Sequence, residues 1–342
     1  MRMLRTAMTA AIAALLVGHG GLAAADSPTL NAVKARGTLN CGVSAGLIGF
    51  SMPDDSNKWS GFDVDFCRAI SAAIFNDPDK VTFVPLNAEE RFKALRDGKI
   101  DVLSRNSTWA MSRETEYGIT FAGISYYDGQ GFMVRRSRKV ESALELSGAS
   151  VCVQSGTTTQ LNLADYFRAN NMTFQEMAFP NSAESIKAYG SGKCDVFTSD
   201  VSQLYAERLK LAKPDDHVIL ADVISKEPLG PVVRQGDDGW LMIVKWSYFA
   251  MLNAEELGVS SKNIDQALTS AKPNVRRLVG VDGGYGEKIG LTNDWAARIV
   301  RLVGNYAEVY DRNVGVTSRL GIPRGLNQLW SNGGIQYAPP IR

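Results

Sequence analysis

The sequence predicts two similar α/β lobes joined by two extended segments and followed by a helical C-terminal extension. Strand-like segments alternate with helix-like ones, which is the pattern of parallel α/β units. In addition, the segment Lys93–Val102 (KALRDGKIDV) recurs 94 residues later as Lys187–Val196 (KAYGSGKCDV). A repeat of about 100 residues indicates two similar domains, because solenoid repeats are about 20 to 50 residues long. The alternative is a chance recurrence of Gly-Lys-x-Asp-Val at helix-to-strand turns, where glycine is a favoured helix end.

The first residues have the layout of a secretory signal peptide. Two arginines precede an apolar run from Ala7 to Val17, and small residues follow at Ala23 to Ala25. The run is too short to span a bilayer comfortably. We therefore expect residues 1–25 to be a signal peptide and the mature chain to be periplasmic. A buried N-terminal helix is the alternative.

Composition limits the classes of partner. Removing the two arginines of the signal peptide from 37 basic residues leaves 35 against 36 acidic ones. This balance is unlike that of nucleic-acid-binding proteins and of proteins held at membranes by basic patches. The mature chain of about 317 residues is longer than one compact core usually holds, so two domains are expected.

Four cysteines in an exported chain allow two disulfides with three possible connectivities. No two of them form a C-x-x-C pair, and the mature chain has a single histidine, His217. We therefore expect no zinc site. The alternative to disulfides is four small buried thiols.

The elements of the first lobe follow in a regular order. GTLNCGV predicts a strand, and FDVDFCRAISAAIF predicts a helix with Phe62, Phe66, Ile70 and Ile74 on one face. KVTFVPL predicts a second strand, AEERFKALRDG a short helix that ends at Gly98, and IDVLS a third strand.

Two extended segments connect the lobes. Ser125–Val134 contains two glycines, and Ser225–Val233 contains prolines and a glycine that exclude a helix. The chain thus leaves lobe 1, builds lobe 2 and returns, which is a natural hinge. Two amphipathic helices, at 240–252 and 295–309, belong to the C-terminal extension, and we expect their aromatic residues to pack. The predicted boundaries are 26–128 plus 231–342 for lobe 1 and 131–228 for lobe 2.

Functional loops are expected beyond the carboxyl ends of the parallel strands. In lobe 1 these loops begin at Ser44 and Asn106, and in lobe 2 at Ser155 and Asp200. The 94-residue offset gives Asp200 the same position in lobe 2 that Asn106 has in lobe 1. If the lobes face each other, the segments NSTWAMSR, QSGTTT and TSD converge on one cleft.

The residue types in these loops suit a zwitterion. Thr157 and Thr158 begin a helix, where free backbone N–H groups favour an anion, although threonine also simply caps helices. With Arg113 and Thr108 they form a two-sided anion clamp, since arginine supplies the paired donors that suit a carboxylate. Asp200 suits a cation, so the cleft is expected to hold the head of an amino acid.

These motifs resemble family 3 of the solute-binding proteins of ABC importers. The resemblance rests on GFDVDFCRAI, T-x4-R, SGTT and TSD, and it covers essentially the whole mature chain. YYDGQGFMV, SKEPLGP and RGLNQLWSNGGIQYAPPIR are similar to the general L-amino-acid-binding branch. The resemblance implies a type II periplasmic binding protein fold, with sheet order 2-1-3-n-4 and two hinge strands that let the lobes close over the ligand.

The resemblance also implies a role for each matching residue. The α-carboxylate of the ligand would be bound by Arg113, Thr108, Thr157 and Thr158. The α-ammonium would be bound by Asp200 and the backbone of Asn106. A roomy, weakly charged side-chain pocket, which suits broad specificity, would be formed by Ser44, Leu47, Phe50 and Ala88.

The implied function is capture of free L-amino acids of broad specificity and their delivery to an ABC permease by a monomer without a cofactor or catalysis. One alternative is an exported lyase of the cyclohexadienyl dehydratase kind, which needs a general acid or base in the cleft. Another is the sensor domain of a receptor. Because a closing binder cannot accept a bridge between lobes, the resemblance implies the disulfides Cys41–Cys67 and Cys152–Cys194.

Overall fold

A computed structural model describes residues 27–342. The predicted signal peptide lies outside these residues. No helix in the described range is long and apolar enough to cross a membrane.

Within this range the chain alternates strands and helices and then becomes helical. The strands are β1 (Leu39–Ser44), β2 (Met52–Pro53), β3 (Trp59–Ser60), β4 (Val81–Leu86), β5 (Val102–Leu103), β6 (Ile119–Phe121), β7 (Tyr126–Asp128), β8 (Gln130–Arg135), β9 (Ala149–Gln154), β10 (Phe174–Phe179), β11 (Val196–Asp200), β12 (His217–Ile219), β13 (Glu227–Leu229) and β14 (Val232–Arg234). The helices are α1 (Pro28–Arg36), α2 (Phe62–Phe75), α3 (Arg91–Arg96), α4 (Met111–Tyr117), α5 (Thr158–Ala169), α6 (Ser182–Gly190), α7 (Val201–Arg208), α8 (Asp238–Glu256), α9 (Ile264–Ala267), α10 (Pro273–Leu278), α11 (Tyr285–Lys288), α12 (Trp295–Leu302) and α13 (Tyr306–Asn313). Short 3-10 turns occur at Arg136–Arg138, Ala143–Glu145, Pro214–Asp216, Gly325–Asn327 and Trp330–Asn332.

The two five-stranded sheets have equivalent strand orders. The first is β4-β1-β5-β14-β6 and the second is β10-β9-β11-β8-β12. In each sheet one strand, β14 or β8, runs antiparallel to its neighbours and enters from a crossover segment. This is the 2-1-3-n-4 order, and the predicted two-lobed α/β fold is confirmed.

The two crossover segments pair with each other between the sheets. Strands β7 and β13 are antiparallel, with Tyr126 opposite Leu229 and Asp128 opposite Glu227. Strand β7 leads into β8, and β13 leads into β14. Because these hinge strands separate the sheets, we propose the lobe boundaries 26–128 plus 231–342 and 131–228.

The sequence echo corresponds to equivalent strands, with one correction. Val102 of β5 lies opposite Cys41, whereas Val196 of β11 lies opposite Val151. The similar sequences NCGVSAG and VCVQSGT predict like positions for Cys41 and Cys152, and this prediction is wrong by one residue. Because successive side chains of a strand point to opposite faces, this single step places the two cysteines on opposite faces of their sheets.

Cys41 and Cys152 accordingly form disulfides with cysteines in different kinds of element. Cys41 of β1 bonds Cys67 in α2, and Cys152 of β9 bonds Cys194 in the turn before β11. Each disulfide lies within a single lobe, as predicted, and neither joins the two lobes. The hinge strands therefore remain free of a covalent link between the lobes.

Removal of either disulfide is expected to destabilise the protein without preventing ligand recognition. The Cys41–Cys67 loop has a sequence separation of 26 residues and the Cys152–Cys194 loop one of 42. Loop-closure entropy assigns about 3.5 and 4 kcal/mol to loops of these lengths. Urea unfolding of the double variants Cys41→Ala/Cys67→Ala and Cys152→Ala/Cys194→Ala measures the loss. An unchanged urea midpoint in either variant would contradict a stabilising role for that bridge.

The C-terminal extension packs on lobe 1 and reaches the hinge. Asp65 of α2 accepts hydrogen bonds from Arg312 Nε (2.8 Å) and Asn313 Nδ2 (2.6 Å) of α13. Further along, the Asn327 amide bonds both backbone groups of Tyr127 in β7, at 2.7 and 3.0 Å. The Tyr306 hydroxyl donates to the carbonyl just before β7 at 2.9 Å. The extension thus holds the first hinge strand.

Candidate binding cleft

Loops of the two lobes meet in a narrow cleft. Asn106 Nδ2 of lobe 1 donates to Gln203 Oε1 of lobe 2 at 3.2 Å. Thr108 Oγ1 lies 3.2 Å from Thr158 Oγ1 across the same boundary. The loops after β5, β9 and β11 therefore converge, as expected for the carboxyl ends of parallel strands.

Arg113 is the buried cation on one side of this contact. It lies in α4 with 7% of its surface exposed, and its Nη1 donates to the Thr108 carbonyl at 2.6 Å. Its guanidinium carbon lies 5.2 Å from the centre of the Phe92 ring. Among the described residues it forms no ion pair with a carboxylate. Burial lowers the pKa of Arg113, and the nearby Glu227 and Asp200 oppose that shift.

Glu227 of β13 is a site residue that sequence reasoning missed. Its Oε2 accepts hydrogen bonds from Thr108 Oγ1 (2.5 Å) and Thr158 Oγ1 (2.8 Å). Its Oε1 accepts from Asn162 Nδ2 and Ser225 Oγ, both at 2.7 Å. A carboxylate of the hinge thus contacts the hydroxyl pair predicted for the ligand carboxylate. The acid in SKEPLGP was visible in the sequence, but an extended segment gives no indication of where its side chain points.

Thr157 has a local partner for its side chain. Its hydroxyl donates to the Gln154 carbonyl at 2.7 Å and accepts from Gln160 N at 3.2 Å, so it caps α5. The first turn of α5 still presents free backbone N–H groups at this end of the cleft.

Asp200 is the buried anion of the cleft. It ends β11 with 6% of its surface exposed, and no group in residues 27–342 donates a hydrogen bond to its carboxylate. Burial raises the pKa of Asp200 well above its ordinary value, and the neighbouring Asp128 and Glu227 raise it further. Arg113 and Arg91 act in the opposite direction. A ligand cation would supply a partner that this carboxylate lacks within the protein.

Asn106 has an unusual backbone conformation. Its φ of 27° is in the left-handed region, which costs energy for a residue other than glycine and is found mostly at functional sites. Its N–H donates to Asp63 Oδ2 at 3.1 Å, which holds the turn. Its buried Oδ1 has no hydrogen-bond partner in the described structure. The side-chain oxygen is therefore an acceptor in addition to the predicted backbone one.

Two cavities open between the lobes. The first, of about 400 Å³, is bordered by Ala88, Phe92, Arg113, Thr157 and Thr158. The second, of about 340 Å³, is bordered by Ser44, Leu47, Arg105, Gln154, Gln203 and Glu207.

The predicted side-chain pocket is divided between these cavities. Ser44 and Leu47 border the second and Ala88 the first. Phe50 borders neither, because its ring packs edge-on against Phe62 (6.2 Å) and Tyr126 (5.6 Å) in the core.

Sequence reasoning also missed Arg105, which immediately precedes Asn106. It is 6% exposed, its Nε donates to the Leu86 carbonyl at 2.9 Å, and it borders the second cavity. Burial lowers the pKa of Arg105 to about 10, so the side chain stays charged at neutral pH. The second cavity is therefore more charged than the sequence predicts. Its position directly after a parallel strand was the signal for this residue.

Comparisons with known proteins agree with the architecture. The family model of bacterial extracellular solute-binding proteins, family 3, matches residues 39–263. The chain is 55% identical over 337 residues to the general L-amino acid-binding periplasmic protein AapJ of Rhizobium johnstonii, with 98% of each chain covered. It is 50% identical over 333 residues to the glutamate/glutamine/aspartate/asparagine-binding protein BztA of Rhodobacter capsulatus, with 97% of each covered. A solved periplasmic binding protein from Brucella ovis with glutathione bound is 53% identical, has a TM-score of 0.91, and matches with 93% of this chain and 100% of its own.

Proposed function

The chain belongs to the bacterial extracellular solute-binding proteins, family 3, and we propose that it captures free L-amino acids of broad specificity in its inter-lobe cleft for delivery to an ABC permease. Membership of this family means that the protein acts outside the cytoplasm. We further propose that it acts in the periplasm as a monomer, after cleavage of residues 1–25.

One observation supports the proposal most strongly. Arg113 and Asp200 are both buried at the cleft, and neither has an ion-pair partner among the described residues. Buried charges without partners are costly, so such a pair is favourable only when another molecule completes it. An α-amino acid carries both complementary charges on one carbon. We assign its carboxylate to Arg113 and its ammonium to Asp200, with Asn106 as a further acceptor.

The names of the relatives support binding over catalysis. AapJ and BztA are named as amino-acid-binding proteins, and the Brucella ovis protein was solved with a bound solute. We therefore set aside the exported lyase. The relatives' ligands differ in length from single amino acids to the tripeptide glutathione, which supports a cleft that extends beyond the amino-acid head.

Isothermal titration calorimetry with the purified protein tests this function. We expect micromolar or tighter dissociation constants for L-amino acids of several chemical classes. The matching α-amides are the control, because they keep the ammonium but lose the carboxylate, and they should bind far more weakly. Flat titrations with every amino acid would refute the proposal, and binding of a single class would refute the breadth.

A further inference from the structure

Three buried arginines of lobe 1 lie beside the cleft. Arg91, Arg105 and Arg113 are 2, 6 and 7% exposed, and none forms an ion pair with a described carboxylate. The Nε atom of Arg91 is buried and makes no hydrogen bond in the described structure. Its ring contact with Phe92, at 4.9 Å, supplies no counter-charge. The buried acids Asp63, Asp200 and Glu227 act on these arginines electrostatically, but none of them forms an ion pair with one in the described structure.

A neutral amino acid has no second negative group for Arg105. On the proposed function its carboxylate pairs with Arg113 and its ammonium with Asp200, so no oxygen of the zwitterion remains for Arg105. The nearest further acid, Asp63, already accepts hydrogen bonds from Ser104 Oγ and Asn106 N, both at 3.1 Å. Asp63 acts on Arg105 electrostatically, but the two form no ion pair or hydrogen bond within the described residues. An acceptor for the free edge of Arg105 would therefore have to come from a ligand.

Arg105 is placed to receive that group. The hydrogen bond from its Nε to the Leu86 carbonyl holds the side chain, and its two Nη nitrogens donate to no described protein group. It borders the cavity of about 340 Å³, opposite Gln203 and Ser182 of lobe 2. A guanidinium with one free edge matches the two oxygens of a carboxylate.

The acids that border the same cavity do not neutralise Arg105. Glu207 is paired with Lys210 Nζ at 3.0 Å and also accepts a hydrogen bond from Ser182. Glu90 is exposed to solvent. Arg105 is thus a buried charge of this cavity that acts on Asp63 only at a distance and forms no ion pair in the described structure.

We propose that Arg105 determines specificity by binding a second carboxylate at the far end of the ligand. The ligand class is an α-amino-acid head joined to a remote carboxylate, as in acidic amino acids or in γ-glutamyl peptides. Neutral amino acids bind by the head alone and therefore more weakly. This inference rests on the proposed function, because it requires the head to be bound at Arg113 and Asp200.

Calorimetry with three ligands tests the inference. L-Glutamate and γ-L-glutamylglycine carry the remote carboxylate at different distances, and L-glutamine is the neutral isostere of the first. We expect the wild-type protein to bind at least one acidic ligand about ten-fold or more tightly than glutamine, the lower end of what a charge-assisted hydrogen bond contributes. A preference for L-glutamate would identify acidic amino acids as the ligand class, and a preference for γ-L-glutamylglycine would identify γ-glutamyl peptides. Arg105→Gln should reduce the preference to less than about three-fold, because it removes the charge but keeps a donor for Leu86.

Arg234→Gln is the matched control. Arg234 also lies in lobe 1 and donates to backbone carbonyls, those of Leu95 and Ile100, but it borders neither cavity. The Arg234→Gln variant should leave the preference for acidic ligands over glutamine unchanged. The inference is overturned if the wild-type protein binds glutamine as tightly as both acidic ligands, a result that needs no variant, or if Arg105→Gln keeps the preference. If either result is obtained but glutamine still binds, the proposed function stands. If none of the three ligands and no other amino acid binds, both the inference and the proposed function are overturned.

Discussion

Replacement of Arg113 by alanine is expected to weaken binding of every L-amino acid by about a thousand-fold while the protein stays folded. Removing one partner of a buried, hydrogen-bonded charge pair costs about 2 to 5 kcal/mol, and 4 kcal/mol corresponds to a thousand-fold change in the dissociation constant. The loss should be uniform across ligands, because the α-carboxylate is common to all of them. Calorimetry gives the affinities, and circular dichroism checks the fold.

Two further variants sharpen this test. Arg113→Lys keeps the charge but loses the paired donors, so it should recover only part of the affinity. Arg96→Ala removes an arginine that is half exposed in α3 and should change nothing measurable. If Arg113→Ala binds within about ten-fold of the wild-type protein, the assignment of the α-carboxylate to this residue is wrong.

Replacement of Asp200 by asparagine is expected to weaken amino-acid binding by about a hundred-fold and, at the same time, to raise the melting temperature measured without ligand. The binding loss follows from removal of the ammonium's counter-charge. The stability gain follows because the carboxylate is buried without a hydrogen-bond donor, whereas an amide is neutral. A residue that lowers stability while it supports binding is typical of functional sites.

The pH dependence of stability provides a second measure of Asp200. Its folded pKa is raised above the ordinary value of 3.8, so the folded state holds the proton more tightly than the unfolded state. The stability from this group is fully present below pH 3.8 and is lost as pH rises through the folded pKa. Asp200→Asn should therefore reduce the fall in stability with rising pH, while the exposed Asp215→Asn should not. Unchanged affinity together with an unchanged melting temperature in Asp200→Asn would remove this residue from the proposed site.

The sequence was sufficient for the fold and for the meeting of the loops, and the reasons are physical. Alternation of strands and helices implies parallel α/β units, and the resemblance to family 3 implied the sheet order. The 94-residue echo then aligned Asn106 with Asp200; in the structure Asn106 bonds Gln203 of lobe 2, and Asp200 acts electrostatically on Arg113 of lobe 1. The disulfides followed from the requirement that the lobes move independently.

The remaining features depend on side-chain direction and on contacts distant in sequence. Glu227 stands in an extended crossover segment, where only the three-dimensional pairing of β13 with β7 turns its carboxylate toward Thr108 and Thr158. Phe50 was predicted in the pocket, but its ring packs in the core. The sequence does not show that Arg105 is buried, whereas in the structure it is 6% exposed and borders a cavity lined by both lobes.

The bonds between the C-terminal extension and the hinge predict where the chain would bend on closure. Because Asn327 holds Tyr127, we expect the start of the first hinge strand to stay with lobe 1. Gly129, by contrast, is bonded through its carbonyl to Val201 N of lobe 2 at 2.8 Å. The Asp128 carboxylate also accepts hydrogen bonds from Ser202 N of lobe 2, at 3.3 and 3.4 Å. We therefore expect the attachment of this strand to change from lobe 1 to lobe 2 between Tyr127 and Gly129, so the extension limits how much of the strand can rotate when the lobes close.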